Sequence, residues 1–241
     1  MSWSRNTAAR HTIPNNKNNV SAFHFSGIML PSGKVRAMNS FKHYLVILAI
    51  SLLPLIPMFA TSAMPHTHDG PVHLARLGAY VKALEDGQIV PRWAGTLNYG
   101  YGTPLFIFIY QLPYAIASAF VLLGFGLVMS FKLLLATSFL LSGVFMYLFA
   151  KAFFKNDRTA FVVALFYQFA PFRFVELFIR GSIGEIYTYT FTPLVLYGII
   201  KTIENPSYQT VLLLVIATAL LVLSHNSISL VFFAVCLLFL L

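Results

Sequence analysis

Tyr44-Leu-Val-Ile-Leu-Ala-Ile-Ser-Leu-Leu-Pro-Leu-Ile-Pro-Met-Phe-Ala60 runs for 17 residues without a charge, close to the roughly 20 residues that cross the hydrocarbon core of a bilayer. Phe131–Ala150 and Val211–Leu223 repeat the pattern. Lone strands do not cross lipid, because their backbone groups would go unsatisfied, so these runs are helices. The chain therefore reads as an all-α polytopic membrane protein. Composition agrees: the 241 residues are 58% apolar and 10% charged, with a mean hydropathy of +0.77, against roughly a quarter charged in a soluble domain.

Sixteen Lys and Arg against seven Asp and Glu give a net charge of +9, which in a soluble protein would point to nucleic acid. Here Arg5, Arg10, Lys17, Lys34, Arg36 and Lys42 precede the first apolar run with no acid among them. They read as cytoplasmic topology signals, and no nucleic-acid partner is expected. Residues 1–40, Ser/Asn-rich and aperiodic, read as a disordered basic head before a membrane domain over 41–241. Met38-Asn-Ser-Phe-Lys-His43 looks like a membrane protein's own start, which would make the head an over-extended one. The last run, Ile228–Leu241, has 14 apolar residues and no polar flank, so the chain reads as the N-terminal part of a longer membrane domain. The single cysteine, Cys236, lies in that run and excludes an intrachain disulfide or a cysteine metal cluster.

The first span, residues 43–61, is entered from the basic side and runs outward. Ala60-Thr-Ser-Ala63 has the spacing of a signal-peptide cleavage site, but the apolar stretch exceeds the roughly 7–15 residues of a signal peptide and holds two prolines, so we read a span. Residues 62–103 are polar, and Arg76, Lys82 and Arg92 cancel Asp69, Glu85 and Asp86; this is the exterior loop. Two apolar stretches follow, 104–127 and 131–150. If both crossed, the basic Lys151–Arg158 loop would fall outside; if only the second does, it falls inside. Residues 104–127 are therefore expected to lie along or dip into the outer leaflet, with Gln111, Pro113 and Gly124 as irregularities. Spans 159–178, 186–200 and 210–224 then bring Arg180, Glu185, His225 and Asn226 to the face of Asp69.

Pro65-His-Thr-His-Asp-Gly-Pro-Val-His73 sets Asp69 among three histidines just past the first span. Asp69 could cap a helix beginning near Pro71. It could join His66 and His68 around a divalent cation, since these are zinc or manganese ligands. Or it could be a general base, a carboxylate beside a low-dielectric surface that takes the proton of an acceptor hydroxyl. From Pro71 to Asp86, Leu74, Leu77, Val81 and Leu84 line one helical stripe and His73, Arg76 and Tyr80 another, as in an amphipathic helix resting on membrane lipids. Arg76, about two turns past Asp69, could meet an anionic head group. Gly87, Pro91-Arg-Trp93 and Asn98-Tyr-Gly-Tyr-Gly-Thr-Pro104 read as a fixed turn held at the interface by its aromatic residues.

Arg173, Glu176 and Arg180 stand at i, i+3 and i+7, on one helix face where they can pair. Charges at such depth are costly and usually face a bundle interior or cavity. They either end a span as a self-neutralising set, or Arg180, followed by Glu185, holds a phosphate through its planar fork. His225-Asn226 is either an interfacial cap or part of the same site. Soluble nucleotide chemistry is not expected, since there is no Walker motif, dinucleotide turn or HExxH.

On His68-Asp-Gly-Pro-Val-His73, Gly87-Gln-Ile-Val-Pro-Arg-Trp93, Asn98-Tyr-Gly-Tyr-Gly102, Phe172-Arg-Phe-Val-Glu-Leu-Phe-Ile-Arg-Gly181 with Glu185, and Leu223-Ser-His-Asn226, the chain resembles the bacterial membrane proteins labelled "6-pyruvoyl-tetrahydropterin synthase-related". That label describes no demonstrated synthase activity here, and the family is similar in turn to the C-type (GT-C) membrane glycosyltransferases. The resemblance covers about residues 40–241. It implies a GT-C-like helical bundle in a bacterial inner or cytoplasmic membrane, with interfacial helices in the first exterior loop and Asp69 there as the catalytic carboxylate. It also implies transfer of a sugar from a polyprenyl-phosphate donor to an acceptor on the exterior face. On this reading His68, His73, Arg76, Arg180, Glu185, His225 and Asn226 bind donor or substrate. The sequence departs from the pattern in lacking a second acid beside Asp69, and residues that would complete the acceptor site would lie past 241. Two other classes stand beside the enzyme: a transporter or lipid flippase, whose paired charges would sit near the midplane, and a non-catalytic membrane assembly protein.

Overall fold

In a computed structural model of the chain, residues 40–240 are described; the head expected over 1–40, Ser40 apart, lies outside the described residues. Those residues are helical, without a strand beyond one isolated bridge between Ala94 and Thr103. Helix α1 (Ser40–Leu52) continues through a 3-10 turn (Leu53–Leu55) into α2 (Ile56–Phe59). Pro54 and Pro57 fall in the first positions of these short turns, where a missing N–H does least harm, and the run Phe41–Phe59 stays one apolar rod. Then come α3 (Gly70–Glu85), α4 (Leu105–Phe108), α5 (Leu112–Leu122), α6 (Leu127–Phe154) and α7 (Asp157–Gln168). Helix α8 (Pro171–Phe174) runs on as a π-turn (Val175–Arg180), followed by α9 (Ile183–Glu204), α10 (Tyr208–Ser224) and α11 (Asn226–Leu240).

Two helices, Phe41–Phe59 and Leu127–Phe154, are long and apolar enough to cross a membrane. A third crossing exists if α7 and the α8–π segment, bent by 45° at Phe169–Ala170, count as one. The bend has a local cause, because Pro171 cannot continue the ladder of α7 and its ring pushes Ala170 out of the helical region (ψ 130). The segment 104–127 is α4 and α5 with a break between them, and at 11 residues α5 reaches only about 16 Å, too short to cross. Of the later expected spans, 186–200 lies in α9, which has 22 residues but is not apolar enough to count as a crossing helix, and 210–224 lies in α10, which at 17 residues falls short by itself, as does α11 at 15. Large apolar side chains on the outer helix faces are open: Phe41, Leu53, Phe166, Leu230 and Leu238 are 59–75% exposed, a surface that suits lipid and not water.

Helix α6 is the central element, packed against α1, α7 and α9, while α10 covers α9. Polar side chains link these apolar faces: Ser138 and Thr190 hydroxyls are 2.7 Å apart, and Thr137 and Tyr187 hydroxyls 2.9 Å. Small residues let backbones approach, as where Gly198 faces the Cα of Leu214.

The helices alternate between two ends. One holds Lys42, Lys151, Lys155, Arg158 and Lys201 against only Asp157 and Glu204, with Lys155 and Lys201 both on Glu204 and Lys151 on Asp157 at 2.8 Å. We call it the basic end. The other begins where the first rod stops, tied to α6 by the buried Lys132, whose Nζ donates to the Thr61 carbonyl at 2.6 Å.

Candidate functional site

At that second end the loop after the first rod docks on the π-turn. The His68 amide donates to the Ile179 carbonyl (2.9 Å) and the Asp69 amide to the Arg180 carbonyl (2.8 Å). Both carbonyls lie at the C-terminal end of a helical segment, where no intrahelical N–H remains for them. The turn closes at Gly181 in the left-handed region (φ 69), and a Cβ there would stand 2.3 Å from Thr67 Oγ1, so only glycine lets the two segments meet.

The Asp69 carboxylate makes no cap hydrogen bond to α3. Thr67 Oγ1 takes that part, accepting from the Gly70 amide at 3.1 Å. The capping expectation is thus corrected to the neighbouring threonine, and the half-buried Asp69 side chain is left over for other work.

Helix α3 does not leave its expected polar stripe open. His73 and Tyr80 are buried along with Leu77 and Val81, because α3 packs on α5 and the stripe read as polar faces Tyr114. His73 Nδ1 lies 2.7 Å from the Tyr114 hydroxyl. Burial, helped by the nearby Arg76 cation, pushes the His73 pKa down to about 4, against a smaller upward pull from Asp69. His73 is therefore a neutral hydrogen-bonding group near pH 7. Tyr110 stacks on Tyr114 on one side (9° between planes) and on His225 on the other (29°). Burial pushes the Tyr110 phenol up to about 12; among the charges acting on it are Arg76, Asp69 and Glu185, which shows how closely these groups gather. Burial lowers the His225 pKa too. Gly184, at the start of α9, makes room for this stack, since a Cβ would stand 2.5 Å from the Tyr110 ring and 2.9 Å from the Ser224 carbonyl.

Arg180 reaches across to α9. Its Nη1 and Nη2 fork onto Glu185 at 2.8 and 2.6 Å, and Nη1 also donates to Glu176. Arg173 does not join them: it donates to Ser142 Oγ at 2.7 Å and lies between the rings of Phe139, Tyr167 and Tyr189. The shared face of three charges is thus reduced to Glu176 and Arg180, because the π-turn changes the period between Arg173 and Arg180.

Asp69, His73, Arg76, Arg180, Glu185 and His225 therefore converge. His68 and Asn226 sit at the same end, both exposed. His66 instead lines an apolar groove of about 450 Å³ between the end of the first rod and Phe178, with Met58, Met64 and Pro65. No three His, Cys, Asp or Glu side chains gather as a metal cluster among the described residues, so the proposed trio of His66, His68 and Asp69 does not form one. Tyr110, Tyr114 and Lys132 were missed by sequence reasoning. Tyr110 follows an apolar run and Tyr114 sits within one, and only the stacking partners distinguish them from lipid anchors.

No family model matches the chain, and no solved structure matches it. A protein of Lactococcus lactis subsp. cremoris (strain MG1363), described only as uncharacterized, is 25% identical over 192 residues. The match takes in 78% of this chain and 31% of that protein, so the chain spans under a third of its relative's length.

Proposed function

We propose that this chain belongs to a multi-pass membrane glycosyltransferase of the C type, which takes a sugar from a polyprenyl-phosphate donor on the outer face of a bacterial cytoplasmic membrane. The observation that carries the reading is the pairing of the Asp69 amide with the Arg180 carbonyl. It sets a carboxylate without a capping duty beside the Arg180–Glu185 fork, at the end of the bundle away from the basic loops. Positive loops stay inside, which puts this end outside.

In the proposed reaction Asp69 accepts the proton of an acceptor hydroxyl, whose oxygen attacks the anomeric carbon of the donor sugar. The bond from that carbon to the phosphate oxygen breaks, and polyprenyl phosphate leaves with the electron pair. Arg180 and Arg76 offset the charge left on the phosphate. Neutral His73 and the Tyr114–Tyr110–His225 stack hold the site's shape and shield it from water.

The test is donor binding by the full chain in membranes. Arg180→Lys keeps the charge but loses the fork, and should weaken retention of a radiolabelled polyprenyl-phosphate sugar about tenfold, or roughly 1.4 kcal/mol. Equal binding by the lysine variant at equal expression would remove Arg180 from the donor site.

One observation favours the transporter class: the buried series Ser51, Gln168, Ser142 and Arg173, joined at 2.7–3.0 Å, lies inside the bundle. Toward the basic end it meets the cluster of Ile47, Tyr147, Ala150, Ala160 and Ala164, where the Tyr147 hydroxyl lies 3.4 Å from His43 Nδ1. Flux of a lipid-linked sugar across reconstituted vesicles, without transfer, would decide for that class.

A further inference from the structure

Both terminal nitrogens of Arg180 are engaged by carboxylates. It forks onto Glu185 and also donates to Glu176, so two carboxylates surround one guanidinium and the local charge is negative. A phosphate approaching Arg180 would be repelled unless one carboxylate withdrew. Glu185, held by Ser182 Oγ at 3.4 Å and in the first turn of α9, is satisfied at both oxygens by the fork. Glu176 is completely buried, and its Oε2 has no partner among the described residues.

Three residues earlier, Arg173 shows the complementary deficit. It is 4% exposed, has no carboxylate, and its Nε and Nη1 have no partner among the described residues. A buried guanidinium without an anion is expensive; the rings of Phe139, Tyr167 and Tyr189, 5.1–5.5 Å away, offset part of the cost. Glu176 itself lies in the π-turn Val175–Arg180, which is closed by the Gly181 amide on the Glu176 carbonyl at 2.8 Å, while Arg173 sits just before it in α8. Such turns hold an extra residue in the helix and often mark functional positions.

We infer that Glu176 is a shared carboxylate with two positions, one on Arg180 and one on Arg173, and that Arg173 is a positioning residue for the phosphate site, acting through Glu176. In the position observed, Glu176 closes Arg180. In the other, it meets the unpartnered Nε and Nη1 of Arg173, and Arg180 keeps Glu185 alone, with net charge balanced and one side open to an anionic phosphate head group. Loss of the extra residue from the π-turn is the backbone movement that would accompany the exchange. This rests on the reading of Arg180 as the phosphate holder, and deepens it.

The experiment is a double-mutant cycle on the full chain in phosphatidylcholine nanodiscs, titrated with polyprenyl phosphate. Arg173→Gln should weaken binding about tenfold, roughly 1.4 kcal/mol, because Glu176 then stays on Arg180. Glu176→Gln should bind as well as the unaltered chain or better, and Arg173→Gln added to it should have no further effect. Arg173→Lys, which keeps a cation for Glu176, should restore most of the affinity and controls for folding. The same loss from Arg173→Gln in both backgrounds would make Arg173 merely structural and overturn the exchange, as would unchanged binding in Arg173→Gln alone. A ligand-free reading separates this from the function itself. The carboxylate infrared band removed by Glu176→Gln should shift in Arg173→Gln, and an unshifted band also overturns the exchange. Absence of polyprenyl phosphate binding by the unaltered chain, with that band shifted, would overturn the phosphate reading of Arg180 and leave the exchange standing.

Discussion

Asp69 and Thr67 divide the work that one residue often does at the head of a helix. Thr67 Oγ1 accepts from the Gly70 amide while the Asp69 carboxylate makes no cap bond. Thr67→Ala should therefore cost about 0.5–2 kcal/mol, the usual loss of a cap, whereas Asp69→Asn should leave stability nearly unchanged; thermal unfolding of the two variants in detergent checks both. A larger loss in Asp69→Asn would return the carboxylate to a structural part. Asp69, Arg180 and Glu185 were legible in the sequence because a charge beside an apolar run needs a reason to be there. Tyr110 and Tyr114 were not, because an aromatic ring at a membrane edge has several uses and a sequence carries no stacking angle. The capping residue was misplaced for a related reason: Asp and Thr are both good caps, and only the turn from Pro65 to Gly70 decides which oxygen reaches the amide.

Among the elements, α3 and α5 depend on a histidine that stays neutral. Burial holds His73 near a pKa of about 4, below the roughly 6.5 of an unfolded histidine. Between those values the unfolded chain binds a proton that the folded one refuses, so stability falls as pH drops from 6.5 toward 4. The full loss is on the order of 3 kcal/mol, and His225, shifted in the same direction, adds to it. The thermal midpoint of the native chain should therefore fall more steeply from pH 7 to pH 5 than that of His73→Asn, which stays neutral and can still bond Tyr114; parallel curves would mean that His73 is hydrated. The extent of α3 was readable from periodicity, while α6 and α9 were recognised as helices but run three or four residues past their apolar stretches at each end. The burial of α3's His73 and Tyr80 stripe was not readable, since α5 supplies a partner that α3's own pattern cannot announce. Nor was the π-turn, because one extra residue in a helix leaves the composition of Val175–Arg180 unchanged while taking Arg173 away from Arg180.

Across the whole molecule, the alternation of ends follows from a few short connections. Asn156 caps α7 with its side-chain oxygen on the Arg158 and Thr159 amides, Ser207 and Thr210 form a capping box at α10, and the basic loops thereby share one end. With Cys236 replaced, single cysteines at exposed Thr96 and Asn226 should react with an impermeant thiol reagent from outside intact cells, and one at exposed Asn205 should not; reaction at 205 alone would invert the bundle. That the basic loops share one end was legible from the Lys and Arg counts, while the closeness of Asp69 to Arg180, 111 positions apart in the sequence, was visible only in the folded chain. The central proposal is that this end transfers sugar with Asp69 as base. The most direct measurement is transfer of radiolabelled sugar from a polyprenyl-phosphate donor by membranes holding the protein, with and without Asp69→Asn. Loss of a general base lowers the rate by roughly two to four orders of magnitude, and that loss at unchanged expression and donor binding is the predicted result; equal turnover in the Asn variant would contradict it.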